Sequence, residues 1–147
     1  MPGGGPDRGT GLPGPRFEEY TVSWAGYFVH TKQNAPDGAP KSMRVEYTTN
    51  AFATFKEWVC FEHSGYARAK AEQWWHLHRH PGDEEPVPDR AVDAVDLAWH
   101  GAIRTPKRIV VKHQVGEFDR VIAYHFDAKE EEKPDWADVP PEDEVPF

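Results

Sequence analysis

Aromatic and basic side chains alternate along several stretches of this chain, and that combination suits a single-stranded nucleic acid. Bases of a single strand stack on aromatic faces, each contributing about 1–3 kcal/mol, while Lys and Arg follow the phosphates. Lys56 and Trp58 share one face of an extended strand, because alternate residues point the same way. The candidate binding residues are Trp24, Tyr27, Arg44, Lys56, Trp58, Lys107, Arg108, Lys112 and Arg120.

A zinc site is the competing interpretation of Cys60 and the histidines. Cys60 and His63 have an acceptable spacing for two ligands, but zinc takes four nitrogen or sulfur ligands in a tetrahedron. The chain has one cysteine, and His76 and His80 make a poor second pair. We therefore expect no metal and no cofactor, with Cys60 acting as a small buried hydrophobic residue. Metal binding by Cys60 and His63 stays an open alternative.

An enzyme is the next class to weigh. Glu57, Glu62 and Glu72 could join His63 in a metal-dependent nuclease site, although nothing in their spacing requires one. No nucleophile motif and no GxxxxGK[ST] phosphate loop occurs in the sequence, and those are the usual signatures of acyl-transfer and nucleotide-hydrolysing enzymes. We expect a protein without enzymatic activity.

The charge is distributed unevenly, and this decides whether an anion can bind. The whole chain has a net charge of −8. From Asp127 onward nine acids face two lysines, a net charge of −7, so residues 1–126 carry only −1. A nearly neutral body can still present a local basic face.

The composition of the two ends differs from that of the middle. Residues 1–16 are rich in Gly and Pro, and residues 127–147 are acidic with several prolines, so we expect a disordered leader and a disordered tail. Residues 17–126 form the predicted nucleic-acid-binding domain. With a single cysteine, no 18-residue apolar run and no signal peptide, we expect a cytoplasmic protein without a membrane segment.

Periodicity within the middle predicts five strands and two helices. The strands fall within residues 20–32, 43–49, 54–62, 107–114 and 118–126, and the helices within 65–80 and 90–100. The order β-β-β-α-α-β-β predicts a mostly β, α+β fold, an OB-like five-stranded barrel or sheet. An α+β sheet with both helices on one face is the rival architecture.

Local signals refine these elements. Gly26 predicts a bulge or bend in the first strand, Ser64 and Asp89 are candidate helix caps, and Gly116 predicts a hairpin. The helical stripes place the large aromatic residues in the core. These are Trp74, Trp75 and Trp99.

The chain ends in an acidic stretch with an apolar tip. A terminal Phe can fill an apolar pocket while its carboxylate meets a cation. This ending resembles the C-terminal tip of bacterial single-stranded DNA-binding protein, where a run of acids precedes Ile-Pro-Phe, although here Val replaces Ile and fewer aspartates occur. The resemblance implies recruitment of replication and repair proteins such as a helicase, exonuclease or polymerase. The matching residues are Glu142, Asp143, Glu144, Val145, Pro146 and Phe147.

A second resemblance covers roughly residues 41–125. The stretches KSMRVEYTT, EWVCFEHSGYARAKAEQWW and RTPKRIVVKH are similar to the C-terminal module of certain bacterial and phage superfamily 2 (DEAD/DEAH-box) helicases. The helicase motor has no counterpart here. The resemblance implies a nucleic-acid-associated module that exists without its motor.

Together these features predict a single-stranded DNA-binding protein that protects the strand and recruits partners through its acidic tip. The alternative is an adaptor that docks on a helicase or polymerase without touching DNA. A homo-oligomer is compatible with both. The preference for DNA or RNA, the host or phage origin and the identity of the tail's partner stay open at this point.

Overall fold

The structure is a computed structural model that describes residues 14–126. Strands and helices follow in the order three strands, two helices, two strands. They are β1 (Arg16–His30), β2 (Ser42–Thr49), β3 (Thr54–Val59), α1 (Gly65–His78), α2 (Ala91–Trp99), β4 (Arg108–His113) and β5 (Arg120–His125).

The five strands form one antiparallel sheet in the order β3-β2-β1-β4-β5. The sheet curls into a half-barrel, so its two edge strands approach each other. Across this seam the Tyr124 hydroxyl of β5 donates a hydrogen bond of 2.5 Å to Glu57 Oε1 of β3. The coarse prediction, a mostly β domain of the α+β type with five strands and two helices, is confirmed.

Strand β1 belongs to both halves of the sheet. Its first part, from Arg16 to Thr21, pairs with β4, and its second part, up to His30, pairs with β2. The pairing with β2 shifts register between Val22 and Trp24. The irregularity of β1 therefore lies before Gly26, the residue where the sequence suggested it. A bulge bends the strand that contains it, and here it falls where β1 changes partner.

Gly26 has a different role from the predicted one. It is buried and stays in regular register with Glu46 of β2. A Cβ atom at this position would collide with the Trp24 indole and would lie 2.9 Å from Phe28 Cε2. Gly26 is required because the two flanking aromatic rings fold over its backbone.

The core fills the concave side of the sheet. Inward-facing residues of β2 and β3 are buried, and so are Ala91, Ala94 and Ala98 of α2. Helix α1 packs on β3, and α2 packs on β1 and β2. The alternation read from the sequence is confirmed in β3, where Phe55 and Val59 are buried while Lys56 and Trp58 face outward. No helix within residues 14–126 has the length and apolar character needed to span a membrane.

The helical tryptophans divide between core and surface. Trp74 and Trp75 of α1 are buried as predicted, but Trp99 is 49% exposed, so the prediction of a core position for Trp99 was wrong. The physical reason is that α2 packs through its small alanines. The indole at its last residue therefore extends to the side of β1.

The helix ends follow the sequence signals in part. Ser64 occupies the N-cap position of α1, but its side chain makes no capping hydrogen bond. The N-cap residue of α2 is Arg90 rather than the predicted Asp89, whose carboxylate accepts a hydrogen bond from Arg68 Nη2 at 3.1 Å. The predicted hairpin between β4 and β5 is present, with Gly116 at a φ of 85°.

Candidate nucleic-acid interface

The exterior of β2 and β3 brings together three of the predicted binding residues. Cross-strand pairing puts Arg44 of β2 directly between Phe28 of β1 and Trp58 of β3. Lys56 lies two residues from Trp58 on the same face and pairs with Glu46. Arg44, Lys56 and Trp58 therefore form one surface, as the alternation in the sequence predicts.

Arg44 is held in place by two contacts. Its guanidinium lies over the Phe28 ring, with 4.9 Å between Cζ and the ring centroid. Its Nε donates a hydrogen bond of 2.8 Å to Glu46 Oε2. A planar cation fixed on an aromatic ring retains further N–H groups that can bind phosphate or stack on a base.

Trp58 is the most available aromatic ring of this surface. Its side chain is 49% exposed, and its ring centroid lies 5.7 Å from that of His30, edge to face. Half-exposed indoles supported by a sheet can serve as stacking platforms for bases.

A groove of about 630 Å³ opens beside Trp58. One wall is the loop between β1 and β2, and the other is formed by Trp58 and the segment after β3. Its polar lining includes His30, Lys32, Ser42 and His63. The turn-forming residues of this loop indicate only a series of turns. The left-handed residues Asn34 (φ 63°) and Gly38 (φ 82°) shape it, and they do not reveal a groove by themselves.

The other basic candidates form a second group on β4 and β5. Lys112 pairs with Arg120 across these strands. Arg108 donates from Nη1 to Glu19 Oε2 at 2.9 Å. Lys107 lies beside the start of the β1–β2 pairing, because its carbonyl accepts a hydrogen bond of 2.8 Å from Val22 N. The predicted cations thus occupy two separate parts of the sheet.

The two aromatic candidates on β1 face opposite ways. Trp24 is on the exterior and 48% exposed. Tyr27 is 5% exposed, and its hydroxyl lies 3.0 Å from Thr105 Oγ1; burial raises the pKa of this phenol. A base cannot stack on a ring buried in this way, so we leave Tyr27 out of the interface.

The concave side of β3 carries a polar cluster that the sequence did not reveal. Glu57 Oε2 accepts hydrogen bonds from the Tyr47 hydroxyl (2.5 Å) and Trp74 Nε1 (3.0 Å), and its Oε1 accepts from Tyr124. We call these four residues the Glu57 cluster. Burial raises the pKa of the Glu57 carboxyl although the three hydrogen bonds oppose the rise. The pKa of Tyr47 and of Tyr124 is also raised by burial.

His78 packs against the Glu57 cluster. Its ring stacks on Trp74 at 3.7 Å between centroids, and its Nδ1 donates a hydrogen bond of 2.8 Å to the Trp74 carbonyl. The side chain is 1% exposed, and burial lowers its pKa to about 3. His78 is therefore neutral near pH 7, and its Nε2 has no hydrogen-bond partner among residues 14–126.

The residues considered for metal chemistry lie in other contacts. Cys60 Sγ accepts a hydrogen bond of 3.3 Å from Ser42 Oγ. Glu62 accepts from the backbone N–H groups of Lys41 (3.0 Å) and Ala91 (2.8 Å). Glu72 pairs with Arg68 at 2.9 Å on α1. Within the described part of the chain, no group of three or more His, Cys, Asp or Glu side chains is arranged to hold a metal ion.

The predicted partner-binding residues 142–147 lie outside the described residues, as do the predicted tail from residue 127 and most of the predicted leader. A scan against protein-family models and a search of curated proteins found no match for this chain. The surface chemistry of residues 14–126 therefore carries the functional argument.

Proposed function

We propose that this chain is a non-enzymatic, cytoplasmic single-stranded DNA-binding protein of DNA replication, repair or recombination. The observation that carries the proposal is the row of Phe28, Arg44 and Trp58 beside Lys56 on the exterior of the sheet. It combines a fixed cation, an exposed lysine and a half-exposed indole at the mouth of a groove. This is the pairing of stacking platform and phosphate contact that single strands require.

The sheet order supports an OB-like barrel. Strands β3 and β5 are the two edges of the sheet order β3-β2-β1-β4-β5. They meet across the Glu57–Tyr124 hydrogen bond, so the sheet curls toward a closed barrel. OB-folds bind oligonucleotides on the face of strands 2 and 3, flanked by the β1–β2 and β4–β5 loops. Arg44, Lys56 and Trp58 lie on these two strands here.

The two flanking loops also fit this arrangement. The β1–β2 loop forms the groove at the Trp58 end of β3. At the other end the β4–β5 loop approaches, because His113 Nδ1 lies 2.9 Å from Asp119 Oδ1 and the His113 ring lies 6.1 Å from that of Phe55. Phe118 in this loop is 97% exposed and offers a further ring. A strand can thus cross the exterior face between two loops.

The C-terminal tip completes the proposal as a recruiting segment. Residues 142–147 would contact a helicase, exonuclease or polymerase, with Phe147 in an apolar pocket and the acids on a basic rim. The −7 charge of residues 127–147 would also compete with DNA for the basic surface at low salt. Homo-oligomerisation is compatible with both functions.

The test is binding of a fluorescent oligo-dT to the full-length chain at about 50 and about 200 mM salt, where phosphate contacts make affinity fall steeply. Trp58→Ala should weaken binding about 5- to 150-fold, since one stacked base contributes about 1–3 kcal/mol. Tyr66→Ala is the matched control, because Tyr66 is 79% exposed on α1 and away from the sheet exterior. A version lacking residues 127–147 should bind more tightly at low salt.

The outcomes separate the two candidate functions. Absence of binding even at low salt rejects the DNA-binding proposal and favours an adaptor that docks on a helicase or polymerase. Equal losses in Trp58→Ala and Tyr66→Ala would move the site away from the exterior of β3.

A further inference from the structure

Trp99, at the end of α2, lies against the second part of β1 on the side that β2 does not occupy. Its Nε1 donates a hydrogen bond of 2.6 Å to the Tyr27 carbonyl. Its ring lies 6.3 Å from the Trp24 ring and 6.1 Å from the Phe28 ring, measured between centroids. Although it makes these contacts, the side chain is 49% exposed. The indole is held in one orientation and still presents surface to solvent.

These contacts make the aromatic surface continuous from α2 to β3. Trp99 packs beside Trp24 and Phe28, Arg44 lies on Phe28, and Trp58 pairs with Arg44. We call these five residues the aromatic stripe. Its three tryptophans are each about half-exposed. Exposed apolar residues that are scattered singly are normal on protein surfaces, whereas contiguous apolar patches mark interaction sites. Three half-exposed indoles connected through a cation form such a contiguous patch.

We propose that Trp99 is a nucleic-acid-binding residue and that the bound strand leaves the sheet and continues onto α2. The proposal rests on the proposed function and extends it from the exterior of β2 and β3 to the inserted helix. The occupant is the same single strand, because the stripe is continuous with Arg44 and Trp58. Lys107, exposed next to Val22, provides a cation for phosphate at the Trp24 end.

The geometry predicts a length requirement. Trp58 lies two strands across the sheet from Phe28, and Trp24 lies four residues before Phe28 on β1. From the spacing of strands and the rise per residue, the Cα atoms of Trp58 and Trp24 are about 16 Å apart. Trp99 lies on the far side of β1 from Trp58, between Trp24 and Phe28, so a strand reaches it after crossing β1. If the bound strand keeps the rise of stacked duplex DNA, about 3.4 Å per nucleotide along each strand, about five nucleotides are needed to reach from Trp58 to Trp24. At this rise a strand of about four nucleotides is shorter than the distance from Trp58 to Trp24, whereas one of about twelve exceeds the length of the whole stripe.

The experiment compares the affinities of dT oligomers of about four and about twelve nucleotides, both within the range of sites seen on single OB folds. Trp99→Ala should weaken the longer oligomer about fivefold or more and change the shorter one less than twofold. Trp99→Phe keeps a stacking ring and should retain most of the length-dependent gain. The control on the same helix is Leu97→Ala, because Leu97 is 40% exposed and is not part of the stripe.

Each outcome has a defined meaning. Equal weakening of both lengths by Trp99→Ala would point to a change in the fold and overturn the proposal, as would no change at either length. Either result leaves the proposed function intact if Trp58→Ala still weakens binding. If the unmodified chain binds neither oligomer, the proposed function fails and this extension fails with it.

Discussion

The two faces of β3 use similar side chains in opposite ways. On the concave face Glu57 is enclosed by the hydroxyls of Tyr47 and Tyr124 and by the Trp74 indole. On the exterior, one residue away in either direction, Lys56 and Trp58 face solvent. Both faces combine aromatic rings with ionisable groups, and on the inner face all three aromatic donors give their hydrogen bonds to Glu57.

The kinds of residues on a face therefore do not determine its role. Inside, aromatic N–H and O–H groups serve as donors to an acid and join β2, β3, β5 and α1. Outside, the Arg44 cation lies on the Phe28 ring and leaves the half-exposed Trp58 face open. Changes to the inner face should therefore alter stability, and changes to the outer face should alter binding.

The largest effect should come from Glu57→Leu. This change leaves three donors of the Glu57 cluster without an acceptor, and each buried unsatisfied group costs about 1–3 kcal/mol. We expect a loss of about 3–5 kcal/mol in the free energy of unfolding, measured by urea denaturation. Glu57→Gln retains a carbonyl acceptor and should lose less than half as much. Unchanged stability in Glu57→Leu would show that the cluster does not stabilise the β3–β5 seam.

The pH dependence of stability should come next in size. The pKa of His78 is about 3 in the folded chain, against about 6.5 when unfolded, so the unfolded state binds a proton that the folded state does not. The contribution of neutral His78 to the free energy of unfolding should be fully present above pH 6.5 and be lost as pH falls toward 3. Over this range the free energy of unfolding should change by up to about 1.4 kcal/mol per pH unit. Nearby Arg104 also lowers this pKa.

His78→Phe tests this expectation through urea denaturation at several pH values. The variant keeps a ring against Trp74 and removes the titrating group, so its acid slope should be shallower. Glu57 acts with the opposite sign, because its raised pKa favours the folded state as pH falls toward the ordinary carboxyl value. Measuring His78→Phe in a Glu57→Gln background isolates the histidine contribution. An unchanged slope there would contradict it.

The smallest effect should come from Lys56→Gln on the outer face. Loss of one phosphate contact should reduce the slope of log affinity against log salt by about one and weaken binding a few-fold. The free energy of unfolding should change by less than about 0.5 kcal/mol. Lys70→Gln on the exposed side of α1 is the matched control. If Lys70→Gln reduces the slope equally, the effect of Lys56→Gln is not specific to the outer face of β3.

Sequence periodicity predicted the outer face better than the inner one. A period of two residues assigns Lys56 and Trp58 to one side of β3 without any knowledge of the fold. The Glu57 cluster was out of reach, because the Tyr124 hydroxyl comes from a strand 67 residues away. Such pairings depend on how the sheet curls, which local patterns do not encode.

The errors at Trp99 and Gly26 have related causes. Helical periodicity selects an apolar stripe on α2 but does not show that the alanines fill the available space. The glycine was interpreted through backbone freedom, whereas it is required by two side chains that cover it. In both cases the deciding contact lies on another element or on neighbouring side chains.

The shared strand β1 has a consequence for the order of folding. Its second part can pair with β2 as soon as the first fifty residues are synthesised, whereas Arg16 pairs with His113, 97 residues later. Contacts of such long sequence separation form late, so the first part of β1 remains an unpaired edge during synthesis. Arg16, Glu18 and Glu19 place charges on this segment, and charged residues discourage an open edge from pairing with another chain. We therefore expect the same residues that end as one side of the β1–β4 ladder to limit aggregation of the nascent chain.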